Sequence, residues 1–206
     1  MPTYMIENGL LPEGVSVADM PDYWELFQDP EDPSKGRFYN CIPGWACEET
    51  NSMKFDAYGL NDTYNLFPSG SGAALVASMA GAYEQEEPWF GYYWEPTWAM
   101  GKYDMTKIGE PAFTQEIWDT TRGCAYPADK VVTLATADFV DREPVLAEFF
   151  TKWEVTNAIL NQVTAYMAEN EASYDEAAIW FLQEYESVWT EWVSAAIASK
   201  VKAALP

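Results

Sequence analysis

Cys41-Ile42-Pro43-Gly44-Trp45-Ala46-Cys47, read with Tyr92-Tyr93-Trp94-Glu95-Pro96-Thr97-Trp98, is the most informative part of the chain. Each segment places tryptophan beside Pro or Gly, where irregular backbone is favoured over the buried stripe of a long helix. Flat, electron-rich indole faces held on rigid loops are a simple way to grip a quaternary ammonium or similar methylated cation. The chain contains no histidine. That removes Ser-His-Asp and Cys-His arrangements and imidazole metal ligands, so a binder is favoured over a catalyst.

Working outward from Trp45, the sequence predicts a helix over about Cys47–Tyr58, ended by Gly59. The N–H groups that open such a helix lack intrahelical partners, and its dipole favours anions there. A zwitterion would place its carboxylate on the Ala46 and Cys47 amides and its methylated cation on the indoles. Trp94 ends a predicted aromatic strand over Pro88–Trp94, at a lobe edge where open α/β sheets bind ligands. Trp45 and Trp94 are therefore expected to line a pocket, while Trp98 divides evenly between pocket and core. Glu95 has two readings. If the strand pleat continues it points away from Trp94 into solvent. If Pro96 twists the chain it neutralises the ligand cation, which favours choline or an N-oxide over a carboxylated ligand.

Cys41 and Cys47 enclose five residues, and Pro43-Gly44 suits a tight loop that brings the two sulfurs together. A disulfide there implies an oxidising compartment. Zinc is the rival, but it needs further ligands where there is no histidine and only Cys124 remains. Cys124 is read as a buried free thiol.

At 206 residues the chain is long enough for one sizeable core or two small lobes. Its 33 acidic and 11 basic residues give a formal charge of −22, which disfavours nucleic acid and anionic membrane surfaces as partners. Such acidity suits solubility in a salty medium. No apolar run approaches bilayer length, and Met1-Pro2-Thr3-Tyr4 does not resemble a signal peptide. Gly70-Ser71-Gly72 resembles a phosphate cradle only loosely, lacking the Lys-Ser/Thr ending. The acidic run Asp29–Asp32 lacks the spacing and glycine of an EF-hand, and reads as a solvated turn rather than a calcium loop. No metal and no cofactor are expected.

Residues 1–40 are rich in Pro, Gly and acids, and residues 29–34 exclude regular helix or central strand. A second helix is predicted over about Gly72–Glu86, with Ser69 and Ser71 at its start. Val131–Thr136 reads as a strand, with weaker candidates near Met105–Ile108. From about Arg142 helical periodicity dominates, over roughly 143–151, 153–169, 173–185 and 187–204. Trp153, Trp180, Trp189 and Trp192 are expected in the core.

Several further stretches join the two opening segments in resembling one family. They are Lys35-Gly36-Arg37-Phe38-Tyr39-Asn40 before the cysteine loop, Ala57-Tyr58-Gly59-Leu60, Cys124-Ala125-Tyr126-Pro127 and Ala177-Ala178-Ile179-Trp180-Phe181-Leu182. In order, these cover almost the whole chain and resemble the substrate-binding component of glycine betaine/proline-betaine ABC importers, with the C-x-x-G-W-x-C loop as the most specific element. The resemblance implies an α/β, periplasmic-binding-protein-like type II lobe followed by a C-terminal helical segment. It implies that Trp45 and Trp94 are walls of an aromatic cage, that the Ala46 and Cys47 amides receive a carboxylate, and that Cys41–Cys47 is a disulfide. It also implies a chain lacking the N-terminal part of a first lobe. Residues 1–140 would be the second lobe of a clamshell, and 141–206 would pack on the first lobe or on a second copy. The expected function is extracytoplasmic, periplasmic binding of glycine betaine or a related osmolyte for delivery to an ABC permease. The expected ligand-binding residues are Trp45, Ala46, Cys47, Trp94, Glu95 and Trp98. The alternatives are a choline or trimethylamine N-oxide receptor using Glu95, a protein-interaction module with exposed aromatics, and an enzyme on a methylated amine with Glu95 as base.

Overall fold

Gly36–Asn40 (β1) and Tyr64–Pro68 (β2) pair in parallel, with Gly36 opposite Tyr64 and Asn40 opposite Pro68. A parallel pair needs a crossover, and a helix over Ala46–Tyr58 supplies it. The computed structural model describes residues 1–128 and 130–206. In chain order its helices are α1 (Tyr4–Glu7), α2 (Ala46–Tyr58), α3 (Gly72–Glu84), α4 (Trp98–Lys102), α5 (Gln115–Thr120), α6 (Ala137–Arg142), α7 (Pro144–Lys152), α8 (Asn157–Asn170), α9 (Tyr174–Glu184), α10 (Glu186–Trp189) and α11 (Ala195–Ala204). A 3-10 helix spans Met20–Phe27. Two compact units result: Met1–Trp94 with Tyr103–Ala128, and Glu95–Lys102 with Asp129–Pro206.

In the first unit, successive β1 side chains serve opposite faces, as the pleat requires. Phe38 points to the main core, its ring 4.8 Å from Phe55 of α2 and 4.7 Å from Phe90. Tyr39 faces the other way and stacks on Trp89 at 5.7 Å. The buried indole of Trp89 donates to Ser78 of α3. The segment carrying Trp89 and Phe90 runs parallel beside β1 through a single bridge at Gly91, with Tyr39 donating to the Phe90 carbonyl and Tyr92 to the Tyr39 carbonyl. The expected strand over Pro88–Trp94 is thus extended and partly paired, but it is not a regular strand. Helix α2 ends as predicted: Gly59 adopts φ 68°, which a Cβ would disfavour, and its N–H closes the last turn. Ser71 caps α3 through the Ala74 N–H.

The second unit is helical. Helix α4 lies against α8, and a Cβ on Gly101 would overlap the Asn161 carbonyl and approach the Ala165 methyl to 2.8 Å. Trp192 packs between Phe149 of α7 and Phe181 of α9, at 6.0 and 5.8 Å. Trp189 donates to the Leu182 carbonyl, and both indoles are buried beside Ala198. A capping box between Ser173 and Glu176 starts α9.

Other expectations also need correction. Val131–Thr136 forms no strand: Val131 is 95% and Leu134 88% exposed, because β-branched propensity is of little use without a partner strand or a face to bury. Residues 105–108 make one isolated bridge, Pro2 to Met105, and no strand. The last predicted helix is interrupted, since Val193 turns extended and Ser194 caps α11 through the Ile197 N–H. Trp153 is 47% exposed at the end of α7, whereas Trp180 is half-buried on the Tyr166 ring at 4.5 Å.

Candidate functional site

Two chain segments leave the same end of the first unit's sheet. Cys41 follows the last residue of β1, and Trp94 follows the parallel segment bridged to Tyr39. Carboxyl ends of parallel strands are where open α/β sheets hold ligands. From β1 the chain enters the small loop closed by the Cys41–Cys47 disulfide, with the two Cα atoms 5.7 Å apart. Gly44 donates to Glu48 Oε2 at 2.7 Å, and Trp45 donates to the Ile42 carbonyl. Trp45 is the N-cap of α2 in extended conformation and makes no side-chain capping bond. Its ring therefore stays out of the core, 49% exposed.

The rings of Trp45 and Trp94 lie 5.5 Å apart, inclined at 55°. Behind Trp94 stand Tyr93 at 4.7 Å and Tyr92 at 6.2 Å, both nearly parallel to it. Tyr92 meets Tyr126 at 5.9 Å, and Tyr126 meets Trp118 at 5.4 Å. The Ala46 and Cys47 N–H groups open α2, and no hydrogen bond from either is present among the described residues. Glu48 and Glu49 stand in the same first turn, which tempers the attraction of that helix end for an anion.

Glu95 and Trp98 belong to the second unit. Glu95 is exposed, and its Oε1 accepts from Asn161 Nδ2 at 2.7 Å. Asn161 is buried and also accepts from the Thr97 N–H. Trp98 is half-buried at the start of α4. The structure therefore brings Trp45, Ala46, Cys47 and Trp94 together in one unit and gives Glu95 a fixed polar partner. The sequence reading missed Tyr126, Asn51, Asn40 and Asn161. Tyr126 and Asn40 lie inside family-like stretches, but nothing local distinguishes Asn51 and Asn161, because their partners are distant in the chain.

A second polar cluster underlies this wall. Lys54 of α2 is buried, pairs with Glu110, donates to the Cys124 carbonyl, and stands 4.8 Å over the Tyr126 ring. Tyr58 donates to the same Glu110 oxygen at 3.0 Å. Burial foremost, then the Glu110 charge, pushes the Tyr58 phenol well above its ordinary range. Burial does the same to Tyr126. Cys124 is free and buried, as expected. The acidic turn is not simply solvated. Asp29 is buried, accepts two bonds from Arg37 at 2.6 and 3.0 Å, and also binds the Glu31 N–H and Asn65. Burial opposes its charge, yet these bonds outweigh it and hold the carboxyl below its ordinary range. Among the described residues no group of three or more acids or cysteines could hold a metal ion.

Solved structures of several substrate-binding and ligand-binding proteins share the chain's fold. The glycine betaine/L-proline-binding protein ProX of Borrelia burgdorferi matches with TM-score 0.56 at 16% identity, covering 96% of this chain and 65% of that one. Lactococcal OpuAC in its closed form with glycine betaine gives 0.56 at 18%, covering 90% and 64%. A choline-binding protein in complex with choline gives 0.54 at 15%, covering 100% and 67%. Residues 1–184 match the OpuAC family, the substrate-binding domain of the ABC-type glycine betaine transport system, and the chain belongs to that family. It is a family of extracytoplasmic binding proteins, not enzymes. The trimethylamine N-oxide-binding protein of Pelagibacter ubique (strain HTCC1062) is 25% identical over 200 residues, which are 92% of this chain and 61% of that protein. This chain thus spans less than two thirds of that relative's length. Among the described residues no helix is long and apolar enough to cross a membrane.

Proposed function

We propose that the first unit is the ligand-binding lobe of an extracytoplasmic receptor for a methylated-ammonium osmolyte, which it delivers to an ABC permease. The lobe is of the periplasmic-binding-protein type II kind, and the helical unit serves to pack on a first lobe. The observation that carries this reading is the pair of inclined indoles, Trp45 and Trp94, 5.5 Å apart beside the opening amides of α2. A trimethylated cation seated in the angle between them gains about 0.5–2 kcal/mol from each ring face. The Ala46 and Cys47 amides would take the carboxylate of a betaine. Glycine betaine, choline and trimethylamine N-oxide, the ligands named for the relatives, share the methylated cation and differ at the other end.

A second reading has its own support. Glu48 and Glu49 crowd the helix end that a carboxylate would use, and Glu95, the residue after Trp94, is held by Asn161. Both favour a ligand without a carboxylate, choline or an N-oxide, with Glu95 answering its positive charge.

Isothermal titration of the three ligands into the chain tests this. Saturable heat with at least one ligand, weakened about tenfold or more by Trp94→Ala, is expected from loss of one cation–π wall and its buried area. Glu95→Gln should weaken choline more than glycine betaine on the second reading. If Trp45→Ala and Trp94→Ala both bind as tightly as the unaltered chain, the aromatic site is wrong.

A further inference from the structure

We infer that Asn51 and Tyr126 are positioning residues that set the spacing of the Trp45 and Trp94 walls without touching the ligand. The inference rests on the site proposed above. Asn51 lies on α2 and is 3% exposed. Its Nδ2 donates to Asn40 Oδ1 at 2.8 Å, and that same oxygen accepts the Cys41 N–H at 2.7 Å. Asn40 is the last residue of β1, so Asn51 fastens the first residue of the disulfide loop to the helix that the loop opens. On its other side, Asn51 Oδ1 accepts the Tyr126 hydroxyl at 2.8 Å. Tyr126 leads through Tyr92, at 5.9 Å, to Trp94, a further 6.2 Å on.

The contacts therefore close a ring. Trp45 is carried by the loop, the loop is tied to Asn40 and Asn51, Asn51 to Tyr126, and Tyr126 through Tyr92 to Trp94. Lys54, fixed by Glu110 and the Cys124 carbonyl, sits on the Tyr126 face and holds that ring from beneath. Beyond the loop itself, every step is a buried or part-buried hydrogen bond or a ring contact, and one amide supplies the two hydrogen-bonding directions. A buried hydrogen bond that loses its partner leaves the other group unpaired, so the geometry must shift or remain strained. An aspartate at 51 keeps the shape and the acceptor for Tyr126, but removes the donor to Asn40. A phenylalanine at 126 keeps the ring and removes the other bond.

The test measures the near-ultraviolet circular dichroism couplet between the two indoles, isolated by subtracting the Trp45→Phe spectrum, together with titration of glycine betaine, choline and trimethylamine N-oxide. Tyr64→Phe is the control, because it deletes a still more deeply buried hydroxyl of the same unit, bonded to the Met20 carbonyl at 2.9 Å. Tyr126→Phe and Asn51→Asp should change the couplet and weaken the bound ligand about fivefold. Tyr64→Phe should lower only the melting temperature. A couplet unchanged in both site variants, or changed equally by Tyr64→Phe, overturns the inference. If the couplet shifts as stated while no ligand binds the unaltered chain, the positioning role stands and the proposed ligand site falls.

Discussion

In the unit built on β1 and β2, Trp45 keeps half its surface in solvent, on a loop pinned by a disulfide and by backbone bonds. In the helical unit, Trp192 is buried between Phe149 and Phe181. Their ion pairs differ in the same sense. Arg37–Asp29 and Lys54–Glu110 of the first unit are largely buried, while Arg142–Asp138, Lys152–Glu148 and Lys202–Glu186 of the helical unit are open to water. The first unit spends its burial on polar ties that hold aromatic faces still. The helical unit spends it on ring packing and close helix contact. An exposed indole stays useful only if something else fixes it, and here buried hydrogen bonds do so.

That contrast can be broken most sharply at Lys54. Lys54→Ala leaves the largely buried Glu110 without its cation, and a loss of up to about 3 kcal/mol of stability is expected. Segment-resolved hydrogen exchange should show the loss in α2 and β1. Protection in α2 that is unchanged would mean that the polar ties carry little of the first unit's stability.

A smaller effect is expected in the helical unit. Gly101→Ala inserts a methyl where the Asn161 backbone already lies, and overpacking of this kind costs about 1–3 kcal/mol. Faster exchange in α8, with β1 unaffected, is the expected pattern. Equal loosening of β1 would show that the two units share one cooperative transition.

The smallest effect belongs to the exposed pairs. Lys152→Ala removes the partner of Glu148 one turn away, and a pair so open to water contributes little to stability. Its melting curve should nearly overlay that of the unaltered chain and converge with it at high salt. A shift as large as that of Gly101→Ala would mean that exposed charges organise the helical unit.

Local signals made some of this legible. Gly59 and Ser71 announce the end of α2 and the start of α3, because capping is decided within a few residues. The pairing of Cys41 with Cys47 is equally local. Strand assignments fared worse. Gly36–Asn40 and Tyr64–Pro68 escaped notice because Arg37, Asn40, Asn65 and Pro68 dilute their propensity, while Val131–Thr136 looks like a strand and is not one. A strand exists through its partner, and a partner far along the chain leaves no local mark.

The sequence by itself determined the chemistry available: indoles beside Pro and Gly, no histidine, a short cysteine loop before a helix, and an acidic balance. Only the tertiary structure decided which groups meet. It brought Trp45 within 5.5 Å of Trp94, gave Asp29 to Arg37, and set Asn51 between Asn40 and Tyr126. The physical reason is range. Caps and small loops are settled by near neighbours along the chain. Hydrogen bonds and ring contacts across 49 or 75 positions, as for Trp45 with Trp94 and Asn51 with Tyr126, are settled only when the whole core is packed.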